Sequence, residues 1–345
     1  MCIEEGWFKI SVEFERWRSK YIDFENYMKG SVYHYTNISA LEGIIKNKTL
    51  WVTKSDFLND KTEYIYAINL INKVFNKNKY AYLNNNALKN IIQIIKKRLS
   101  RSFIFSTSLN GDSTNLWGNY SKGEGYNICF NLEKVFGKFW NGKIFVVGNK
   151  KQKDGTSKQY MIPRVDQYKT VSMTPGKVIY DPSIQEETIT DIFNFMDSIY
   201  KSNFLYYKEI INLKNNDTKS LDMLNTYTDY AIGAAQMILS NQVQLFKNPV
   251  FKQDEEYRIL FDINRKIDVI KYRAFNNVFV PYIEVIFEGD NDNKLPIDKI
   301  IIGPKNNLDI AEKGLRSFLV NQGYKMGGDL ENKLLIKNSD VPLRY

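Results

Sequence analysis

Between residues 7 and 28 the chain sets Trp7, Phe8, Val12, Phe14, Trp17, Tyr21, Phe24 and Tyr27 among charged residues at near-helical spacing. That pattern predicts an amphipathic helix laid on a core by one face and closed by Gly30. Val32-Tyr33-His34-Tyr35 then reads as a short strand. Thr36 and Asn37 are candidate caps for a helix over 38–47, and Leu50-Trp51-Val52-Thr53 reads as a second strand. Residues 61–101 hold two helical patterns parted by Asn84-Asn85-Asn86, the second with Leu88, Ile91, Ile92, Ile95 and Leu99 on one face.

Alternating segments follow at 103–106, 126–130, 143–147 and 177–180, with a polar stretch over 148–160 expected to be mobile. A helical insertion spans about 184–247. Strands return at 257–261, 282–286 and 300–302, and a last helix covers about 308–322. The class is therefore α+β: mixed, largely antiparallel sheets of short strands with an N-terminal helix over 1–30 and a helical insertion. With no internal repeat and no biased linker, residues 31–345 read as a single domain.

Composition narrows the class without naming a ligand. The 345 residues are 43% hydrophobic, 14% aromatic and 25% charged, a globular balance. Forty-eight Lys and Arg against 39 Asp and Glu give a net charge of +9, which leans toward anionic partners and leaves nucleic acid open. Denser basic patches stand at Lys96-Lys97-Arg98 with Arg101 and at Lys150-Lys151 with Lys153, neither interleaved with aromatic residues as in nucleic-acid-binding patterns. Cys2 and Cys129 are too few for a disulfide framework. No signal-peptide core and no run of about 18 apolar residues occurs, so a soluble, cytoplasmic protein without membrane contact is expected.

A single histidine, His34, limits the chemistry further. Any Ser-His-Asp or Cys-His arrangement would have to use it, and a zinc site of several histidines is excluded. Three clusters surround the possibilities. The first is Tyr33-His34-Tyr35-Thr36 with Leu50-Trp51, Asn59-Asp60 and Glu63. The second is Phe105-Ser106-Thr107-Ser108 with Trp117-Gly118-Asn119-Tyr120 and Gly123-Glu124-Gly125. The third is Lys247, Phe251 and Asp254-Glu255-Glu256-Tyr257-Arg258 with Ile302-Gly303-Pro304 and 339–344. Each has a structural reading too. Serines and threonines pair along strands, Trp117 and Tyr120 stand at helical core spacing, and Glu256 and Arg258 fall on one face of a strand as an ion pair would.

In order and spacing these clusters resemble the bacterial family catalogued as domain of unknown function 2971, from about Val32 to Arg344. More distantly, the Tyr-His-x-Thr strand, short helix and turn into Leu50-Trp51 resemble the opening of ADP-ribosyltransferase-like folds. That resemblance implies NAD as the substrate, with His34 on its ribose and adenosine side. It also implies that Ser106, Thr107 and Ser108 brace the nicotinamide pocket and that Glu256 is the catalytic carboxylate. Tyr33, Tyr35, Thr36, Trp117, Tyr120 and Arg258 would line the site, no metal is required, and Glu124 competes with Glu256 for the acid.

The activity so implied is transfer of ADP-ribose to a macromolecule or hydrolysis of NAD, as in a toxin or phage-defence effector. The carboxylate would stabilise positive charge developing on the ribose. Two other classes stay open. A nuclease would use Asp254 and Glu256 with Asp60 or Glu63 around Mg2+, and a non-catalytic module would bind a nucleotide or protein at the aromatic pocket.

Overall fold

The computed structural model describes residues 4–21, 28–58, 62–121, 125–162, 171–212, 218–263, 267–275, 277–288, 295–305, 307–327 and 334–342. The chain forms two compact units, one of residues 1–24, 60–100 and 179–249, the other of residues 25–59, 101–178 and 250–345. In the first, α1 (Glu4–Arg18), α3 (Glu63–Lys77), α4 (Asn85–Leu99), α7 (Pro182–Asn212) and α8 (Thr218–Gln242) share one apolar core. The helices of 61–101 thus pack with the N-terminal helix and the insertion, because Leu88, Ile91 and Ile95 bury beside Ile189, Phe193 and Leu239.

Trp17 stacks on Phe195 with centroids 4.0 Å apart and donates its indole N–H to Asp191 at 2.8 Å. The Asn84 break works as an N-cap: its side chain accepts the N–H groups of Asn86 and Ala87 and starts α4, while α3 has already ended at Lys77.

The second unit is a mixed, mostly antiparallel sheet, so the class is α+β. Its strands are β1 (Ser31–Thr36), β2 (Thr49–Lys54), β3 (Ser102–Ser108), β4 (Tyr126–Asn131), β5 (Ile144–Lys151) and β6 (Ser157–Met161), then β7 (Val171–Lys177), β8 (Glu256–Ile263), β9 (Lys271–Phe275), β10 (Val278–Phe287), β11 (Ile297–Ile302) and β12 (Leu335–Asn338). The main path runs β12-β11-β4-β1-β3-β2-β10-β5-β6, with β8 on β3, β7 on β8 and β9 on β10; β11 and β12 are parallel. Helices α2 (Ile38–Asn47), α5 (Thr114–Ser121), α6 (Leu132–Trp140) and α9 (Leu308–Asn321) complete the unit.

Its core takes one face of the sheet, with Val32, Phe103, Phe105, Phe130, Tyr257, Ile259 and Ile283 packed on Leu41 and Ile45 of α2. Asn37 caps α2 as expected, accepting the N–H of Ala40 at 2.9 Å.

The N-terminal helix ends at Arg18, short of the Gly30 end expected from the sequence, and two further segments depart from the sequence expectation. The polar stretch 148–160 is largely hairpin: β5 runs on to Lys151 and β6 returns through a turn in which Gly155 takes φ +85° and Asp154 accepts the Thr156 N–H. The strand expected at 177–180 lies earlier, at β7, because Val171–Lys177 pairs along β8 with Pro175 opposite Ile259. The long insertion therefore leaves from the end of β7 and returns at the start of β8, which lie side by side.

Candidate functional site

Strand β3 is a branch point. Along one edge it pairs with β8 for its whole length, from Ser102↔Asp262 to Ser108↔Glu256. The other edge is shared: β1 joins at Tyr33↔Ser108, and β2 joins at Thr53↔Ile104 and Lys54↔Phe103. Between these pairings β1 and β2 part, leaving a fork opposite Phe105, Ser106 and Thr107.

The His34 ring stands at this fork, its Nδ1 3.2 Å from the Ser106 carbonyl and its centroid 4.8 Å from that of Phe105. A carbonyl oxygen only accepts, so Nδ1 carries the proton and Nε2 is left as an acceptor. Desolvation pushes the His34 pKa down to about 4; the Ser106 carbonyl opposes the shift and the Arg273 charge adds to it. Near neutral pH His34 is an uncharged hydrogen-bonding group.

Directly opposed residues of antiparallel strands share a face, and successive residues alternate. Following the register, Tyr33, Ser106, Ser108, Glu256 and Arg258 lie on one face with Ile104, Thr53, Trp51 and Tyr282. Phe103, Phe105 and Tyr257 take the opposite face, in the core. His34, next to Tyr33, leaves β1 on that core side. His34 and Glu256 therefore start from opposite faces, and they are not the facing pair in one pocket that a shared ribose would most simply require. The fork is where the imidazole reaches the strand edge beside Ser106.

Glu256 is fixed by what precedes it. Glu255 takes φ 44°, a left-handed conformation that costs a non-glycine residue on the order of 1–3 kcal/mol. Hydrogen bonds hold it there: its carbonyl accepts from the Leu109 N–H at 2.7 Å and from the Ser108 hydroxyl at 3.5 Å, its carboxylate accepts from Asn110 at 2.9 Å, and its N–H donates to the Lys252 carbonyl at 3.2 Å. The next residue is thereby turned inward. Glu256, 8% exposed, accepts from Arg258 Nε at 3.0 Å and Nη2 at 2.9 Å, and Arg258 is 1% exposed. This bidentate pairing engages both carboxylate oxygens and fixes the plane of the carboxylate.

Several candidate side chains have polar groups already engaged in the scaffold. Thr107 donates to the Tyr257 carbonyl at 2.8 Å, and Ser108 donates to the Asp254 carbonyl at 2.8 Å while accepting the Asn110 N–H. Tyr35 donates to the Asn110 carbonyl at 2.9 Å, accepts from Ser113, and meets Trp117 edge-on at 4.7 Å; burial raises its pKa. Trp117 is fully buried in a small separate cluster with Tyr35, Leu116 and Ile301. Thr36 is buried, and Tyr120 is exposed on α5. The second and third sequence clusters meet here for a reason the sequence did not signal: Asp112 accepts from the Trp117 indole at 2.7 Å, the Ser339 hydroxyl at 2.5 Å and the Asp340 N–H at 2.7 Å. A Cβ on Gly303 would sit 2.9 Å from the Trp117 ring, so the turn at Gly303-Pro304 needs glycine.

Glu124, Asp60 and Arg344 lie outside the described residues. Glu63 belongs to the helical unit and stands 3.7 Å from Lys247. Among the described residues no three of His, Cys, Asp and Glu gather in a way that could hold a metal ion, and no helix is long and apolar enough to cross a membrane. The residue missed outright is Arg273 on β9, whose Nη2 donates to Thr53 Oγ1 at 3.0 Å. Its trace in the sequence is the alternation Lys271-Tyr272-Arg273 ahead of an Asn-Asn pair.

Residues 116–259 match the model of the family described as Protein of unknown function (DUF2971). The DUF2971 match begins in α5 and ends on β8, so it takes in Trp117, Tyr120, Glu256 and Arg258. His34 and Ser106–Ser108 lie before it, and the extent is shorter than the sequence resemblance from Val32 to Arg344. No curated protein and no solved structure matches the chain.

Proposed function

We propose that the protein cleaves the nicotinamide–ribose bond of NAD, as an ADP-ribosyltransferase-like enzyme or an NAD glycohydrolase. The observation that carries the reading is adjacency. His34, Ser106–Ser108 and Glu256, far apart in sequence, stand on three neighbouring strands, β1, β3 and β8, with Ser108 directly opposite Glu256.

Three features favour this chemistry. Glu256 is a buried carboxylate held by a bidentate pair with Arg258, and a carboxylate set against a ribose hydroxyl stabilises the positive charge that grows as nicotinamide leaves. The left-handed Glu255 is backbone strain of the kind that gathers at functional sites, directly before the acid. Neutral His34 offers Nε2 to a hydroxyl donor without needing a metal. Because His34 reaches the strand edge through the fork, its role is to position substrate, with Glu256 as the catalytic group.

Incubation with NAD, with and without nucleic acid or protein acceptors, tests the reading by release of nicotinamide. Turnover that persists in chelator is the expected result. No release under any of these conditions, or cleavage of nucleic acid that chelator abolishes, overturns it.

A further inference from the structure

The sheet face that carries Glu256 continues across β2 and β10 to β9, and there it holds an arginine in an unusual state. Arg273 lies over two rings, with its Cζ 5.8 Å from the centroid of Trp51 and 5.8 Å from that of Tyr282. Those rings are 4.7 Å apart. One guanidinium nitrogen reaches Thr53, and Nε is buried with no hydrogen-bond partner. Among the described residues no carboxylate pairs with it. The acid on the same face, Glu284, is held by Lys271 at 2.5 Å. Desolvation lowers the Arg273 pKa, as it does for a cation withdrawn from water without a counterion.

Nε is closed off from solvent, so an anion would meet this desolvated guanidinium at its terminal nitrogens, and phosphate is a matched partner for them. Trp51 is 43% exposed beside it and offers a ring face. A ligand that satisfies both must carry a phosphate and a flat base within a few ångströms of each other. We infer that Arg273, Trp51, Tyr282 and Thr53 form a site for a purine nucleoside phosphate, the phosphate on Arg273 and the base on the exposed ring of Trp51. The site goes beyond NAD cleavage and stands without it, since it asks nothing of Glu256. Were NAD the ligand, its diphosphate and adenine would occupy this end of the face.

Calorimetric titration with ADP, adenosine and inorganic phosphate tests it, with quenching of tryptophan fluorescence followed in wild type and Trp51→Phe. ADP is expected to bind and quench, and each half-ligand to bind far more weakly. Arg273→Met is expected to weaken ADP binding about 10- to 100-fold, the range for a charged hydrogen bond lost. Arg273→Lys should fall between, and Trp51→Ala should weaken binding.

Folding is controlled by the thermal midpoint, which Arg273→Met should not lower because it removes an uncompensated charge. No ADP binding to wild type, or equal binding by Arg273→Met, overturns the inference. If ADP binds as described and NAD yields no nicotinamide, the NAD reading fails and this site remains. If nicotinamide is released while ADP fails to bind wild type, or binds Arg273→Met equally well, the site is refuted and the NAD reading remains.

Discussion

Arg258 and Arg273 occupy one face of one sheet under opposite electrostatic conditions. Arg258, on the strand that pairs along the whole of β3, is 1% exposed and spends two donors on Glu256. Arg273, on a two-stranded ribbon, rests on aromatic rings with one hydroxyl partner and a buried, unused N–H. Both are withdrawn from water. The first is compensated inside the fold, and the second is left for something outside it. The difference separates a cation that holds the structure together from one whose desolvation is relieved by a ligand.

Removing each charge breaks the comparison most sharply. Arg258→Met removes the bidentate partner of the buried Glu256 carboxylate and is expected to cost about 3–5 kcal/mol of stability, the range for breaking a buried pair. Arg273→Met strands no partner and is expected to change stability by less than about 1 kcal/mol. Urea unfolding of the two variants checks this, and equal losses would erase the distinction.

Catalysis gives the next effect. Glu256→Gln should lower NAD turnover about 100- to 1,000-fold if the carboxylate stabilises the transition state. The same substitution removes the charge from the bidentate pair with Arg258, so some loss of stability is expected too. The double variant Glu256→Gln with Arg258→Met separates the roles. Recovery of stability without recovery of turnover makes Glu256 catalytic, and recovery of both makes the pair structural.

What was legible in the sequence follows from range. Asn37 before an amphipathic stretch announced α2, and period-two segments announced β1, β3, β4, β8 and β11 with small errors at their ends, because caps and alternation are local signals. The Asp154-Gly155 turn was equally local and marked the hairpin in the stretch expected to be mobile. Register is not local. Nothing near His34 says that it faces the core side of β1 while Glu256 faces away, since that depends on single pairings such as Tyr33↔Ser108. Arg273 was missed for a related reason. An arginine on an exposed ribbon reads as a solvated charge until Trp51, from another part of the chain, comes to lie under it.

The smallest effect joins the two regions through the one imidazole. His34 has an ordinary pKa of 6.5 and a folded value of about 4, so between those values the unfolded chain binds more protons than the native one. Its contribution to stability is therefore full above about pH 6.5 and is lost as pH falls toward 4, with a slope of at most about 1.4 kcal/mol per pH unit. His34→Gln should flatten the difference curve in that window. Proton NMR reads the midpoint directly, because no other histidine contributes. The Arg273 charge helps hold that midpoint down, so Arg273→Met is expected to raise it, as bound phosphate at Arg273 should also do by screening the same charge. Arg258, whose charge is neutralised by Glu256, should leave the midpoint where it is when mutated together with its partner. A midpoint that ignores Arg273→Met would mean that the guanidinium charge does not act on the imidazole across the sheet.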